Sequence, residues 1–137
     1  MIQEHHNETD IQMLYFKEDF NRWKSEVEII IREIRFYNGM FISDFINKLE
    51  SDFYSTQNHN ANLLDFELKH RKITKELKHL HYTSEGIKEC NDLQCENFYL
   101  NDMAAFKTKI EKHFEDFRTL KGEILQYLNN GLQKYIN

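Results

Sequence analysis

The sequence predicts an all-α protein, an antiparallel bundle of three long helices that forms a single domain over residues 1–137. Three stretches carry apolar residues at alternating steps of three and four, which is the spacing of an amphipathic helix. The chain contains no proline and only four glycines, so few residues oppose helix formation. Hydrophobic residues make up 40% and charged residues 30% of the chain, which is typical of a globular protein rather than a disordered one.

The first apolar stripe defines the first helix. Its members lie on one helical face: Phe16, Phe20, Trp23, Val27, Ile30, Ile34 and Tyr37. Before it, we predict a disordered tail over residues 1–9. Asn7, Thr9 and Asp10 are the candidate N-caps, because their short side-chain oxygens can accept hydrogen bonds from the first turn of a helix.

The pair Asn38-Gly39 is the strongest turn signal in the chain, because both residue types tolerate a positive φ. We favour a first helix that continues to about Tyr54 with a kink at this pair. The alternative is a helix that ends near Asn38 and a second helix that starts near Met40. That break would give a four-helix up-down bundle.

The two remaining long helices are predicted from their apolar stripes and from the polar segments around them. Residues 55–60, STQNHN, lack apolar periodicity and are predicted to form a loop. The middle helix is expected to start near residues 60–62 and to fade over residues 86–91. The last helix is expected to run from about Gln94 to Asn129, because Asn129-Asn130-Gly131 is a typical helix stop.

Charge and composition argue against several classes of function. The net charge of -5 argues against a nucleic-acid binder, which needs a surplus of basic residues on at least one face. No run approaches the roughly 18 apolar residues of a membrane span, so no membrane association is expected. The N-terminal residues lack the pattern of a secretory signal, and we therefore expect a cytoplasmic protein. Cys90 and Cys95 are accordingly predicted to be ordinary thiols, with a reversible disulfide as the alternative.

His70 is the one polar residue set squarely within an apolar stripe. If the last two helices fold back around residue 92, His70 lies level with residue 114 and close to His113. The prediction we favour is a histidine without a ligand, either buried and hydrogen-bonded or at the edge of the stripe and in contact with water. Phe114 competes with His113 for the inward position. The alternative is a metal-binding or redox bundle, in which His70, His113 and Glu67 of the Glu67-x-x-His70 motif hold zinc or non-haem iron.

The aromatic content of 14% exceeds what the stripes themselves use. Five aromatic residues lie beside the stripes and widen the apolar faces: Tyr15, Phe36, Tyr54, Tyr82 and Phe98. A wide apolar face needs a fourth helix or a second protomer to cover it. We therefore expect a non-catalytic protein that acts through protein–protein interaction or self-association.

Two short motifs carry a resemblance to a family. Phe20-x-x-Trp23-Lys24-x-Glu26, together with Glu76-Leu77-Lys78-His79 in the middle helix, resembles small all-helical proteins of flavobacteria-like bacteria. The resemblance covers about half of the chain and implies a helical bundle. It assigns no site, because no activity is known for these proteins.

Overall fold

The computed structural model describes residues 2–49 and 53–136, and within these ranges the chain is helical apart from short connections and forms no strand. The elements are α1 (Ile2–Phe41), α2 (Asp44–Lys48), α3 (Phe53–Ser84), a 3-10 helix (Glu85–Glu89) and α4 (Leu93–Ile136). The prediction of an all-α protein with three long helices is confirmed. None of the described helices is long and apolar enough to cross a membrane.

Helix α1 begins at Ile2, so residues 2–9 of the predicted tail are helical. Its start also lies before Asn7, Thr9 and Asp10, and the prediction that one of these residues caps the helix is wrong. Thr9 is buried, and its hydroxyl donates a hydrogen bond of 3.1 Å to the Glu96 carboxylate. A tertiary contact therefore holds the side chain that was expected to cap the helix.

The favoured continuation of α1 to Tyr54 is wrong, and so is the position of the kink. Asn38 and Gly39 lie inside α1, and no described residue has a positive φ. The break follows at Ser43, which is extended (φ -85°, ψ 161°) and whose hydroxyl donates to the Met40 carbonyl oxygen at 2.7 Å. It turns the chain so that Ile46 becomes buried. Residues 50–52, which a continuous helix would include, lie outside the described residues.

Two predicted interruptions are helical in the structure. Residues 55–60 belong to α3, where the Thr56 and Tyr127 hydroxyls are hydrogen-bonded and the His59 ring lies 4.8 Å from the Tyr127 ring. Residues 129–131 lie within α4, which continues to Ile136. In both places the signals for a loop or stop are outweighed by packing against neighbouring helices, a common override of local propensity.

The chain packs into two compact units, and α1, α3 and α4 each contribute one segment to each unit. Unit 1 comprises Met1–Val27 and Lys72–Lys112, and unit 2 comprises Glu28–Arg71 and His113–Asn137. The core of unit 1 centres on Trp23, which is fully buried and makes edge-on contacts with the Phe20 and Phe106 rings.

In unit 2 the buried apolar residues come from α1, α2, α3 and α4. The Phe66 ring of α3 lies 5.4 Å from the Phe117 ring of α4. Thr56 of α3 contacts Tyr127 of α4, and His70 of α3 contacts His113 of α4. The residue numbers at the contacts therefore rise along α3 while they fall along α4. These two helices are therefore antiparallel, as the sequence predicted.

Candidate functional site

Two features of unit 2 are candidates for function, a buried histidine pair and an exposed apolar edge. The pair consists of His70 on α3 and His113 on α4, both buried. His70 Nδ1 and His113 Nε2 lie 2.9 Å apart, within hydrogen-bonding distance. The prediction that antiparallel packing brings His113 beside His70 is confirmed. Phe114, the expected competitor, is buried as well, so both residues face inward.

The environment of the pair keeps the imidazoles away from solvent. The Phe66 ring stacks on the His113 ring at 4.5 Å, and the two imidazoles lie nearly parallel to each other at 5.1 Å. The pKa of His113 is lowered to about 4, mainly because burial disfavours the charged imidazolium and secondly because of the charge on His70. Asp116 acts in the opposite direction, and Lys69 lowers the pKa slightly.

The shared hydrogen bond determines how many protons the pair can hold. One of the two facing nitrogens must donate its proton, and the other must present a lone pair. If both imidazoles were charged, two N–H groups would point at each other in a buried site, so the hydrogen bond would be lost. The pair is therefore suited to joining α3 to α4 in the neutral range of pH.

Glu67, the third residue of the predicted metal site, has other partners. Its carboxylate accepts hydrogen bonds from Arg71 at 3.2 Å and from the Asn38 amide at 3.5 Å. Within residues 2–49 and 53–136, no group of three or more His, Cys, Asp and Glu side chains is placed to hold a metal ion. The zinc or iron site remains a prediction that lacks a third ligand among the described residues.

The cysteines form a disulfide that links Cys90 and Cys95, so the prediction of ordinary thiols is wrong. The disulfide of the alternative is present, and its reversibility remains a prediction. The Asp92 carboxylate accepts a hydrogen bond from the Cys95 backbone N–H at 2.8 Å, which fixes the turn between the two cysteines. Disulfides are typical of oxidising compartments. The cytoplasmic location accordingly gains no support and remains a prediction.

The second feature lies where α1 and α4 meet in unit 2. The Lys121 ammonium group donates a hydrogen bond of 3.0 Å to the Glu33 carboxylate, which fixes the side of each helix that faces the other. Ile29 and Phe36 lie one turn before and after Glu33, and Leu125 lies one turn after Lys121, so all three follow this edge. Their side chains are 48%, 64% and 45% exposed, respectively.

Two arginines flank these apolar side chains. Arg32 lies between Ile29 and Phe36 on α1, and Arg118 precedes Lys121 by one turn on α4. Both are exposed, and neither forms an ion pair with another described residue. We call this surface the unit 2 edge, and it comprises Ile29, Arg32, Phe36, Arg118 and Leu125.

Helical glycines lie beside both sides of the unit 2 edge. Gly39 follows Phe36 by one turn, and Gly122 precedes Leu125 by one turn. Apart from the adjoining residues and backbone of its own helix, a Cβ atom added to either glycine would meet no described atom within 4 Å, and neither glycine has a positive φ. Glycine in a helix interior costs about 1 kcal/mol relative to alanine. Packing and backbone conformation within the described chain therefore give no reason for either glycine.

Sequence reasoning found part of this edge. Phe36 stood out because it lies beside the apolar stripe of α1. Ile29, Arg32, Arg118 and Leu125 were missed. The position of Arg118 and Leu125 beside Phe36 depends on the register of α1 against α4, which the contact between Glu33 and Lys121 sets across more than eighty residues of chain. The outward positions of both predicted helices carry apolar residues and arginines, and comparing these positions in the sequence could have indicated the edge.

Comparisons with known proteins do not assign a family. No protein-family model, curated protein or solved structure matches this chain. The resemblance to small helical proteins of flavobacteria-like bacteria remains a prediction. The class that the fold defines is an all-α helical bundle.

Proposed function

We propose that this is a non-catalytic helical-bundle protein that acts by binding another protein chain at the unit 2 edge. The observation that carries the proposal is the exposed apolar set of Ile29, Phe36 and Leu125, which lies beside the hydrogen bond between Glu33 of α1 and Lys121 of α4. Isolated exposed apolar residues are normal on protein surfaces, whereas a cluster along one edge is typical of an interaction site.

The composition of the edge supports a protein partner. Aromatic residues and arginine are enriched at protein interfaces, and both occur here as Phe36, Arg32 and Arg118. Because the two arginines have no ion-pair partner among the described residues, their charges are available to acidic groups on another chain. The open space at Gly39 and Gly122 would let a partner approach the helix backbone closely.

The histidine pair supports the non-catalytic part of the proposal. His70 and His113 direct nitrogens at each other, and Phe66 covers the His113 ring. These are the contacts of a polar layer that specifies how α3 packs on α4. In the proposed function, the pair stabilises the packing of α3 on α4 and does not contact the partner.

Site-specific photo-crosslinking in the cells that make the protein tests this proposal. A photo-reactive phenylalanine analogue in place of Phe36 is expected to give a discrete protein adduct on irradiation. The matched control carries the analogue in place of Tyr82, which is an aromatic residue on α3 with 81% exposure. This control is expected to give no adduct.

Charge reversal shows whether the adduct reports the proposed surface. Arg32→Glu together with Arg118→Glu is expected to reduce the adduct at position 36 strongly, because like charges across an interface disfavour binding. The proposal is overturned if position 36 gives no adduct, if positions 36 and 82 crosslink equally, or if the reversal has no effect.

A further inference from the structure

The outer face of α1 in unit 1 carries a second exposed stripe, with the opposite charge. Glu8, Ile11, Tyr15 and Glu18 follow one another at steps of three, four and three, which places them on one helical face. All four are exposed, with Ile11 at 52% and Tyr15 at 65%. Neither glutamate forms an ion pair with another described residue. We call this set the acidic stripe.

The acidic stripe and the unit 2 edge are complementary in chemistry. The stripe consists of an apolar pair between two glutamates, and the edge consists of an apolar set flanked by two arginines. Contact between them would bury the exposed Ile11 and Tyr15 against Ile29, Phe36 and Leu125. It would also give each unpaired charge a partner of opposite sign at the rim, which fixes register and orientation.

We propose that the partner bound at the unit 2 edge is a second copy of this chain, which docks through its acidic stripe. This inference rests on the proposed function and names the occupant of the same surface. The stripe belongs to α1 and is therefore already helical before it binds, so binding does not require a disordered segment to fold. The contact joins two different surfaces, so each copy carries both halves of the interaction.

Sedimentation velocity of the purified full chain over a concentration series tests the proposal. The wild type is expected to shift from monomer to larger species as concentration rises. One variant carries Arg32→Glu and Arg118→Glu, and the other carries Glu8→Arg and Glu18→Arg. Each variant places like charges across the contact, and we expect its self-association constant to fall by about tenfold or more.

Mixing the two charge-reversal variants provides the decisive measurement. In the mixture, the acidic edge of the first variant can bind the arginine-substituted stripe of the second. The unchanged acidic stripe of the first variant can also bind the unchanged basic edge of the second, so both contacts bring opposite charges together. An equimolar mixture is therefore expected to recover larger species that neither variant forms alone. The control variant carries Lys72→Glu and Lys75→Glu at exposed α3 positions. These substitutions change the net charge by the same amount and sign as Arg32→Glu with Arg118→Glu, and the control should associate like the wild type.

Three results would overturn the inference: a wild type that stays monomeric at every concentration, reversal variants that associate like the wild type, or a mixture that fails to recover association. Circular dichroism of each variant confirms that the helices are intact. If the purified wild type is monomeric while position 36 still crosslinks in cells in an arginine-dependent way, the second-copy proposal fails and the proposed function stands. If neither association nor crosslinking occurs, both fail.

Discussion

The contact between α1 and α4 contains an equivalent ion pair in each unit, Asp19 with Lys107 and Glu33 with Lys121, and differs at the positions beside it. In unit 1 the outward positions form ion pairs, because Arg22 bridges Asp19 and Glu111 while Lys107 also bonds to Asp19. In unit 2 the positions two heptad repeats further along each helix, Phe36 and Leu125, are apolar and exposed. The positions of Arg22 and Glu111 in unit 1 thus correspond to those of Phe36 and Leu125 in unit 2. The charged pair is satisfied within the chain, whereas the apolar pair is left exposed to solvent.

This difference bears on binding more than on stability. Exposed ion pairs contribute only about 0 to 1 kcal/mol, so the charges of unit 1 do little to hold the fold together. Their partners lie within the chain, however, and they gain little from another protein. Apolar side chains in water gain free energy from any surface that covers them. Along the contact between α1 and α4, the unit 2 edge is thus the surface from which a bound partner would gain the most binding free energy.

The largest expected effect contrasts a core aromatic of unit 1 with an edge aromatic of unit 2. Trp23→Ala should lower the free energy of unfolding by about 3 to 5 kcal/mol, because a large aromatic is lost from a packed core. Phe36→Ala should change it by less than about 0.5 kcal/mol, since its side chain is largely exposed. Urea unfolding of the two variants measures both values. Similar losses would mean that Phe36 packs as a core residue.

A second prediction concerns the buried polar layer of unit 2. The folded pKa of His113 is about 4, below the value of about 6.5 expected in the unfolded chain, so the unfolded state binds more protons between these values. The stability that neutral His113 contributes should be fully present above about pH 6.5. The free energy of unfolding should then fall by about 1 to 3 kcal/mol as the pH drops toward 4.

Replacing both histidines, His70→Leu with His113→Leu, should flatten that part of the pH profile. His79→Leu, at an exposed position of α3, is the matched control and should leave the profile unchanged. Thermal melting over a pH series makes the comparison. A double variant that keeps the wild-type pH dependence would place the titrating group elsewhere.

The disulfide gives a prediction confined to unit 1, which contains both cysteines of the chain. It closes a loop with a sequence separation of 5, and loop-closure entropy then predicts a contribution of about 2 kcal/mol. Cys90→Ser with Cys95→Ser should lower stability by this amount, as should reduction of the wild type. Hydrogen exchange should rise around residues 85–96, and a uniform rise across unit 2 would contradict a local role.

The smallest effect contrasts two glycines. Gly122→Ala in unit 2 should raise the free energy of unfolding by up to about 1 kcal/mol, because the added methyl meets open space and alanine favours the helix. Gly86→Ala in unit 1 should be destabilising, because its Cβ would lie 2.6 Å from the Tyr99 hydroxyl. Paired thermal melts decide the signs. Under the proposed function, Gly122→Ala should also weaken crosslinking at position 36.

Some parts of the fold could be predicted because they depend on spacing alone. In the predicted stripe from Phe16 to Tyr37, every residue after Phe16 is buried as the period required, and Phe16 itself is half-buried. The antiparallel return of α4 on α3 brought His113 to His70. The end of α1 could not be predicted in the same way. Asn38-Gly39 is compatible with either a helix or a turn, and the outcome depended on Ser43 and on the burial of Ile46.

Helical periodicity in the sequence accounts for the class of this protein, its long helices and the faces that they bury, because the period is local and repeats over many residues. Which side chains meet across α1 and α4 depends instead on how the helices pack. Phe36, Leu125, Arg32 and Arg118 form one edge only when the two helices pack in the register fixed by Glu33 and Lys121. Residues so far apart along the chain carry no shared local signal, so their common surface is a property of the folded chain.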